Sequence, residues 1–125
     1  MFVADSSVLI ELVEQRPRTA KILEVLQSTP LATTSLCMHE VLVGAISEKQ
    51  QFKFEQVFSQ IYIFQHDPRA AKIGARIEQE LDRRGLKIQT VDTMIAAICI
   101  VNNAELVTLD QGFKRIEGLK VRIIR

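Results

Sequence analysis

Short apolar runs of strand length alternate with longer helical patterns from one end of the chain to the other, and four of these apolar segments are ended or interrupted by a carboxylate. Strand–helix alternation narrows the fold to the α/β class with a mostly parallel sheet flanked by helices. Phe2–Ala4, Leu31–Thr34, Ile61–Phe64, Glu105–Leu109 and Val121–Ile124 read as strands. Helices are expected over Ser6–Val13, with Asp5 or Ser6 as cap, and over Arg18–Gln27, with Pro17 in the first turn. Further helices are expected from Ser35 to about Ile46, over Lys49–Gln60, and from Pro68 until Gly85 ends it. A last helix starts at Thr90 or Asp92 and runs to about Asn102. Asp110, Gln111 and Gly112 form a turn between the last two strands.

The four carboxylates are Asp5 in FVADSSVLIEL, Glu40 in SLCMHEVLVGA, Asp92 in TVDTMIAAICI and Asp110 in LVTLDQGF. A carboxylate beside an apolar run is costly unless it has a cation, a donor or water. Taken singly, Asp5 and Asp92 are good helix caps, Asp110 is a good turn residue, and Glu40 can reach solvent at a helix edge. Yet Glu40 shares its helix face with Leu36, Cys37, Val43 and Gly44, none of them read as a cation or a donor side chain. Gly44 on that face suggests close approach of another backbone. Of the five aspartates, three sit after strands or at helix starts, where open α/β sheets place their ligands. Asp67 and Asp82 read as ordinary cap and surface residues. Together the four acids point to one shared pocket, and an acidic pocket at neutral pH points to a divalent cation with hard oxygen ligands, Mg2+ or Mn2+ rather than zinc.

The totals bound this reading. At 125 residues the chain is expected to form a single domain spanning 1–125 with its own core. Its formal net charge is +1, so nucleic-acid binding has to come from a local basic patch. Cys37 and Cys99 lie in apolar segments without metal-ligand spacing and read as buried reduced thiols, which favours a cytoplasmic setting. No basic-apolar leader and no apolar run of membrane-spanning length is present, so no membrane partner is expected. Nucleotide cradles of the G-x-G-x-x-G or G-x-x-x-x-G-K kind are missing, and His39 and His66 have no partners in sequence for nucleophilic catalysis.

Three segments in order are similar to one family. ADSSVLIEL resembles a strand–Asp–Ser/Thr start, TSLCMHEVLVGA resembles a Ser/Thr–x–x–x–x–Glu–hydrophobic–x–x–Gly helix, and VDTMIAAICIVNNAELVTLDQGF resembles an Asp–x–x–Ile–Ala–Ala helix followed by Leu-Val-Thr-x-Asp-x-x-Phe. These are the motifs of PIN-domain ribonucleases, and the chain resembles in particular the small VapC toxins of bacterial and archaeal toxin–antitoxin pairs. The resemblance implies a PIN-like three-layer sandwich and a Mg2+- or Mn2+-dependent endoribonuclease. It also implies a cognate VapB-type antitoxin that covers the acidic pocket, and a homodimer. Carried over by position, the metal-binding and catalytic quartet falls on Asp5, Glu40, Asp92 and Asp110, with Ser6 and Thr108 as supporting polar residues. Asn103 stands where the family commonly has glycine, and Ser6 where threonine is commoner; neither touches a carboxylate.

RNA must also be held. Lys114 and Arg115 follow Asp110 closely, and Arg69, Lys72, Arg76 and Arg83 recur at helical spacing on the long helix, where a solvated face is the simpler reading. The competing functions are a non-catalytic PIN-like module binding RNA or protein, and a phosphoacceptor receiver domain. The second requires paired acids after the first strand and a lysine closing a later one, whereas Asp5 is followed by Ser6 and Ser7.

Overall fold

The computed structural model describes residues 1–27 and 29–125. The elements follow in the order β1 (Phe2–Ala4), α1 (Ser6–Val13), α2 (Thr19–Leu26), β2 (Leu31–Thr34), α3 (Ser35–Gly44) and α4 (Glu48–Phe58), then β3 (Tyr62–Phe64), α5 (Pro68–Arg83), α6 (Thr90–Val101), β4 (Glu105–Thr108), a 3-10 turn (Gln111–Arg115) and β5 (Val121–Ile123). All five strands form one parallel sheet in the order β3-β2-β1-β4-β5. The alternation in the sequence therefore yields the expected α/β class, with helices supplying the crossovers that parallel strands require.

Central strands of a parallel sheet are covered on both faces and become apolar throughout. Accordingly Val3 and Ala4 of β1, and Leu106, Val107 and Thr108 of β4, are fully buried. The register pairs Val3 with Leu106 and Ala4 with Val107. The chain leaves β1 toward β2 on one side and later returns to β4 on the other, so the strand order reverses between β1 and β4. Ligand sites of open α/β sheets lie outside the carboxyl ends of the strands at this switch point. Asp5 and Asp110 follow those two strands.

Helix starts show where side chains compete for the same task. Asp5 caps α1 by accepting the Ser6 N–H, and Asp67 caps α5 by accepting the Ala70 N–H with Pro68 in the first turn. Ser47 and Gln50 close a reciprocal capping box at α4. Thr34, not Ser35, caps α3, because its hydroxyl reaches the Cys37 N–H at 3.0 Å. Neither Thr90 nor Asp92 caps α6: the cap position falls on Gln89, whose side chain makes no capping bond, and Asp92 is the third residue of the helix. Pro17 lies in the turn before α2 rather than in its first turn. Gly85, at φ 69°, ends α5 in the left-handed conformation expected of it. Gly44 departs from expectation, since a Cβ there would meet nothing within 4 Å. Close backbone approach occurs instead at Gly74, where α5 packs on α6. Among the described residues no helix is long and apolar enough to cross a membrane.

Candidate metal centre

Asp5 extends β1 by one residue, donating its N–H to the Val107 carbonyl at 3.0 Å. The residue is 6% exposed. Oδ1 accepts the Ser6 N–H at 2.8 Å and the Cys37 thiol at 3.7 Å. Oδ2 accepts the Thr108 hydroxyl at 2.6 Å and the Ser7 hydroxyl at 3.3 Å. The carboxylate is thus held by four neutral donors and no cation. Thr108 in turn accepts the Asp110 N–H at 3.0 Å, and Ser7 accepts the Leu109 N–H at 3.2 Å. These two hydroxyls tie the start of α1 to the end of β4.

The other acids approach from three further elements. Glu40 lies one turn beyond Cys37 on α3, and ligand atoms of Asp5, Cys37 and Glu40 all fall within 4.8 Å of one another, a group able to hold a metal ion. The Glu40 residue is largely exposed, but its carboxyl is raised above the usual range by burial and by Asp5, with the Ser6 hydroxyl acting in the opposite direction. Asp92, in the first turn of α6, is pushed up to about 6 by burial, then by Asp5, Asp110 and Glu40. Asp110 starts the 3-10 turn, its Oδ1 accepting the Gly112 N–H at 2.8 Å. A Cβ at residue 112 would sit 3.1 Å from that oxygen, so any larger residue there would press on the Asp110 carboxylate. The four acids line one cleft of ≈ 550 Å³ together with Ser6, Ser7, Lys87, Ile88, Gln89, Gly112 and Arg115.

None of the four forms an ion pair with a protein cation among the described residues. Glu11 shows the contrast: at 7% exposure it is paired with Arg18, at 3.7 Å. Mutual repulsion that raises Asp92 is relieved by a bound cation, and an all-carboxylate set of hard oxygens suits a divalent one. The residues present therefore fit a metal ion.

The geometry also corrects details. Cys37 is buried, as expected of it, but it is also a donor on the Glu40 face, where none was evident from sequence. Burial and Asp5 push its thiol up to about 12, so it stays protonated. Ser6 supplies its N–H to Asp5 while its hydroxyl acts on Glu40, and Ser7, not singled out in the sequence, adds a hydroxyl to Asp5 beside that of Thr108. Arg115 lines the cleft, whereas Lys114 does not. Arg69, Lys72, Arg76 and Arg83 lie on α5 away from it; Arg69 is paired with Asp67 and Arg83 with Glu80. Lys87 went unnoticed because it falls in the segment between α5 and α6, which carries no periodic pattern. His39 and His66 do not line the cleft either.

The family model of the PIN domain matches residues 2–119. The chain belongs to the PIN domain family. PIN domains are nucleases as a family. Solved structures agree in fold. A chain of VapBC2 from Rickettsia felis, in a structure described as bound to a DNA fragment from the promoter, is 25% identical, with a TM-score of 0.86 over 98% of this chain and 97% of that one. A chain of VapBC-5 from Mycobacterium tuberculosis, described as a member of the VapBC family of toxin-antitoxin systems, is 25% identical, with a TM-score of 0.72 over 98% and 96%. A chain of a toxin-antitoxin complex from Klebsiella pneumoniae is 24% identical, with a TM-score of 0.82 over 100% and 98%. No curated protein sequence matches the chain. This PIN domain thus carries its four acids at the carboxyl edge of the sheet, around the switch point.

Proposed function

We propose that this PIN domain is a divalent-metal-dependent endoribonuclease of the VapC kind, acting as the toxin of a toxin–antitoxin pair. The observation that carries the reading is the convergence of Asp5, Glu40, Asp92 and Asp110 on one cleft with no protein cation to neutralise them. Asp5 and Asp92 would form the core of a Mg2+ or Mn2+ site, with Asp110 and Glu40 completing it directly or through water. When bound, such an ion supplies activation of water and stabilisation of charge on the phosphoryl group.

The chain's own groups do the rest. Thr108, Ser7, Cys37 and the Ser6 N–H hold both oxygens of Asp5 in one orientation, so the site is organised before substrate arrives. Of the two acids that complete the site, Glu40 or Asp110 would accept a proton from attacking water where it is held through water and not by the ion itself. A cognate VapB-type antitoxin is supported by the toxin–antitoxin complexes among similar structures. An open apolar groove of ≈ 600 Å³ supports a protein partner too, since Leu23 and Phe52 in it remain 57% and 63% exposed. The homodimer and the cytoplasmic setting belong to the same proposal; two buried free thiols favour the latter.

The test is cleavage of RNA by the purified chain with Mg2+ or Mn2+ and with EDTA. Cleavage is expected only with the ion, and Asp5→Asn or Asp92→Asn should abolish it while circular dichroism stays native. Wild-type rates in both variants would overturn the proposal. Sequencing of RNA ends after induction without the antitoxin, with Asp5→Asn as control, identifies the target.

A further inference from the structure

A strand of phosphates approaching four carboxylates is repelled unless cations line its way. Two cations stand on the rim of the acidic cleft, Lys87 and Arg115, and neither has a carboxylate within ion-pair distance among the described residues. Arg115 donates from Nη1 to the Lys87 carbonyl at 2.9 Å. That one bond fixes the guanidinium beside the segment joining α5 to α6 and leaves its other donors free. Arg115 also lines a second, smaller cleft of ≈ 180 Å³, where the 3-10 turn meets the C-terminal half of α5. There it is joined by Arg76 and Arg84. Of the acids in this second cleft, Glu80 is engaged by Arg83, and Glu117 makes an exposed 3.7 Å pair with Arg84 that a phosphate on Arg84 has to displace.

We infer that Lys87, Arg115, Arg84 and Arg76 form a continuous phosphate track by which single-stranded RNA leaves the acidic cleft over the 3-10 turn, with Arg115 as the joint between the two clefts. This rests on the nuclease reading and adds the course of the substrate to it. It also assigns the binding role to the end of α5 that faces the 3-10 turn, and not to Arg69 and Lys72 near its start.

The test uses the full chain carrying Asp92→Asn, which holds RNA without cutting it, and labelled oligouridylates of two lengths, one filling only the acidic cleft and one extending beyond it. Dissociation constants are measured against salt concentration. For each cation that contacts phosphate, its replacement lowers the slope of log Kd against log salt by about 0.7. Lys87→Gln and Arg115→Gln are expected to do so with both lengths. Arg76→Gln and Arg84→Gln are expected to do so with the longer strand alone, and Arg69→Gln and Lys72→Gln with neither. A purely structural role for Arg115 would lower melting temperature and leave the slope unchanged. Unchanged slopes in the four track variants, or larger losses at Arg69 and Lys72, would overturn the track while RNA cleavage by the wild-type chain stood. Absence of any cleavage by the wild-type chain would remove the nuclease reading itself, and the track with it.

Discussion

Asp5 is a charge kept in the interior by hydroxyls, a thiol and a backbone N–H, so its cost is spread over several weak donors. Thr108→Val removes the shortest of these bonds and should lower stability by about 1–3 kcal/mol in urea denaturation, whereas Thr108→Ser should retain most of it. A Thr108→Val variant as stable as the wild type, with the loss appearing in Thr108→Ser instead, would show that packing of the threonine methyl, and not the bond, is what counts. Asp92 carries a pH signature. Its carboxyl rises from the ordinary 3.8 to about 6 in the folded chain, so between those values the folded state holds a proton that the unfolded state has released. In EDTA, stability therefore falls as pH rises through that window and is level above it. Asp92→Asn should shrink the fall, leaving the part due to Glu40, and make the metal-free chain more stable at neutral pH by on the order of 1 kcal/mol, the shift being discounted because the group is half exposed. Thermal melts across the window decide the point, and a variant that tracks the wild type throughout would refute it. Cys37 is pushed up to about 12 and Cys99 is also raised by burial, so both thiols should resist a disulfide reagent in the native chain and react fully in urea.

The α5–α6 pair shows what an element can and cannot announce. Gly74 is buried where the two helices meet, and an added Cβ would lie 3.4 Å from the Ala97 Cβ and 3.5 Å from the Thr93 carbonyl oxygen. Those are ordinary contact distances, so Gly74→Ala should fit and raise stability by up to about 1 kcal/mol through helix propensity. Gly74→Leu should force the helices apart and cost about 1–3 kcal/mol. Chemical denaturation of the two variants checks both signs. Elements themselves were legible because apolar periodicity and β-branched runs are local properties: β1, β2, α1 and the Pro68 start of α5 fall where the pattern puts them. Caps were less legible. Thr34 wins over Ser35 through a distance of 3.0 Å to the Cys37 N–H, and composition does not encode such a distance. Gly44 and Gly74 look alike in sequence; only packing separates the exposed helix end from the close contact.

At the scale of the molecule, the proposed metal site ought to act as a fold stabiliser. An ion that binds only the native state adds about 2.7 kcal/mol at a hundredfold excess over its dissociation constant. Mg2+ or Mn2+ should therefore raise the melting temperature in a dose-dependent way, and Asp5→Asn should abolish the shift; an equal shift in that variant would place the ion elsewhere. The acidic positions were readable because each breaks an apolar run, but strand order was not, and order is what makes them neighbours. Nothing local in Lys87 hinted at the cleft, since it reaches the rim only through the way α5, α6 and the 3-10 turn come together. The same arrangement has a temporal side. The bond from Thr108 to Asp5 spans 103 residues, and β1 can pair with β4 only after all the elements between them have been made. A nascent chain still threading out of the ribosome owns its first acid yet lacks the strand that orients it. Products cut short before β4 are accordingly expected to lack an oriented Asp5, and whatever chemistry the pocket performs waits on that strand.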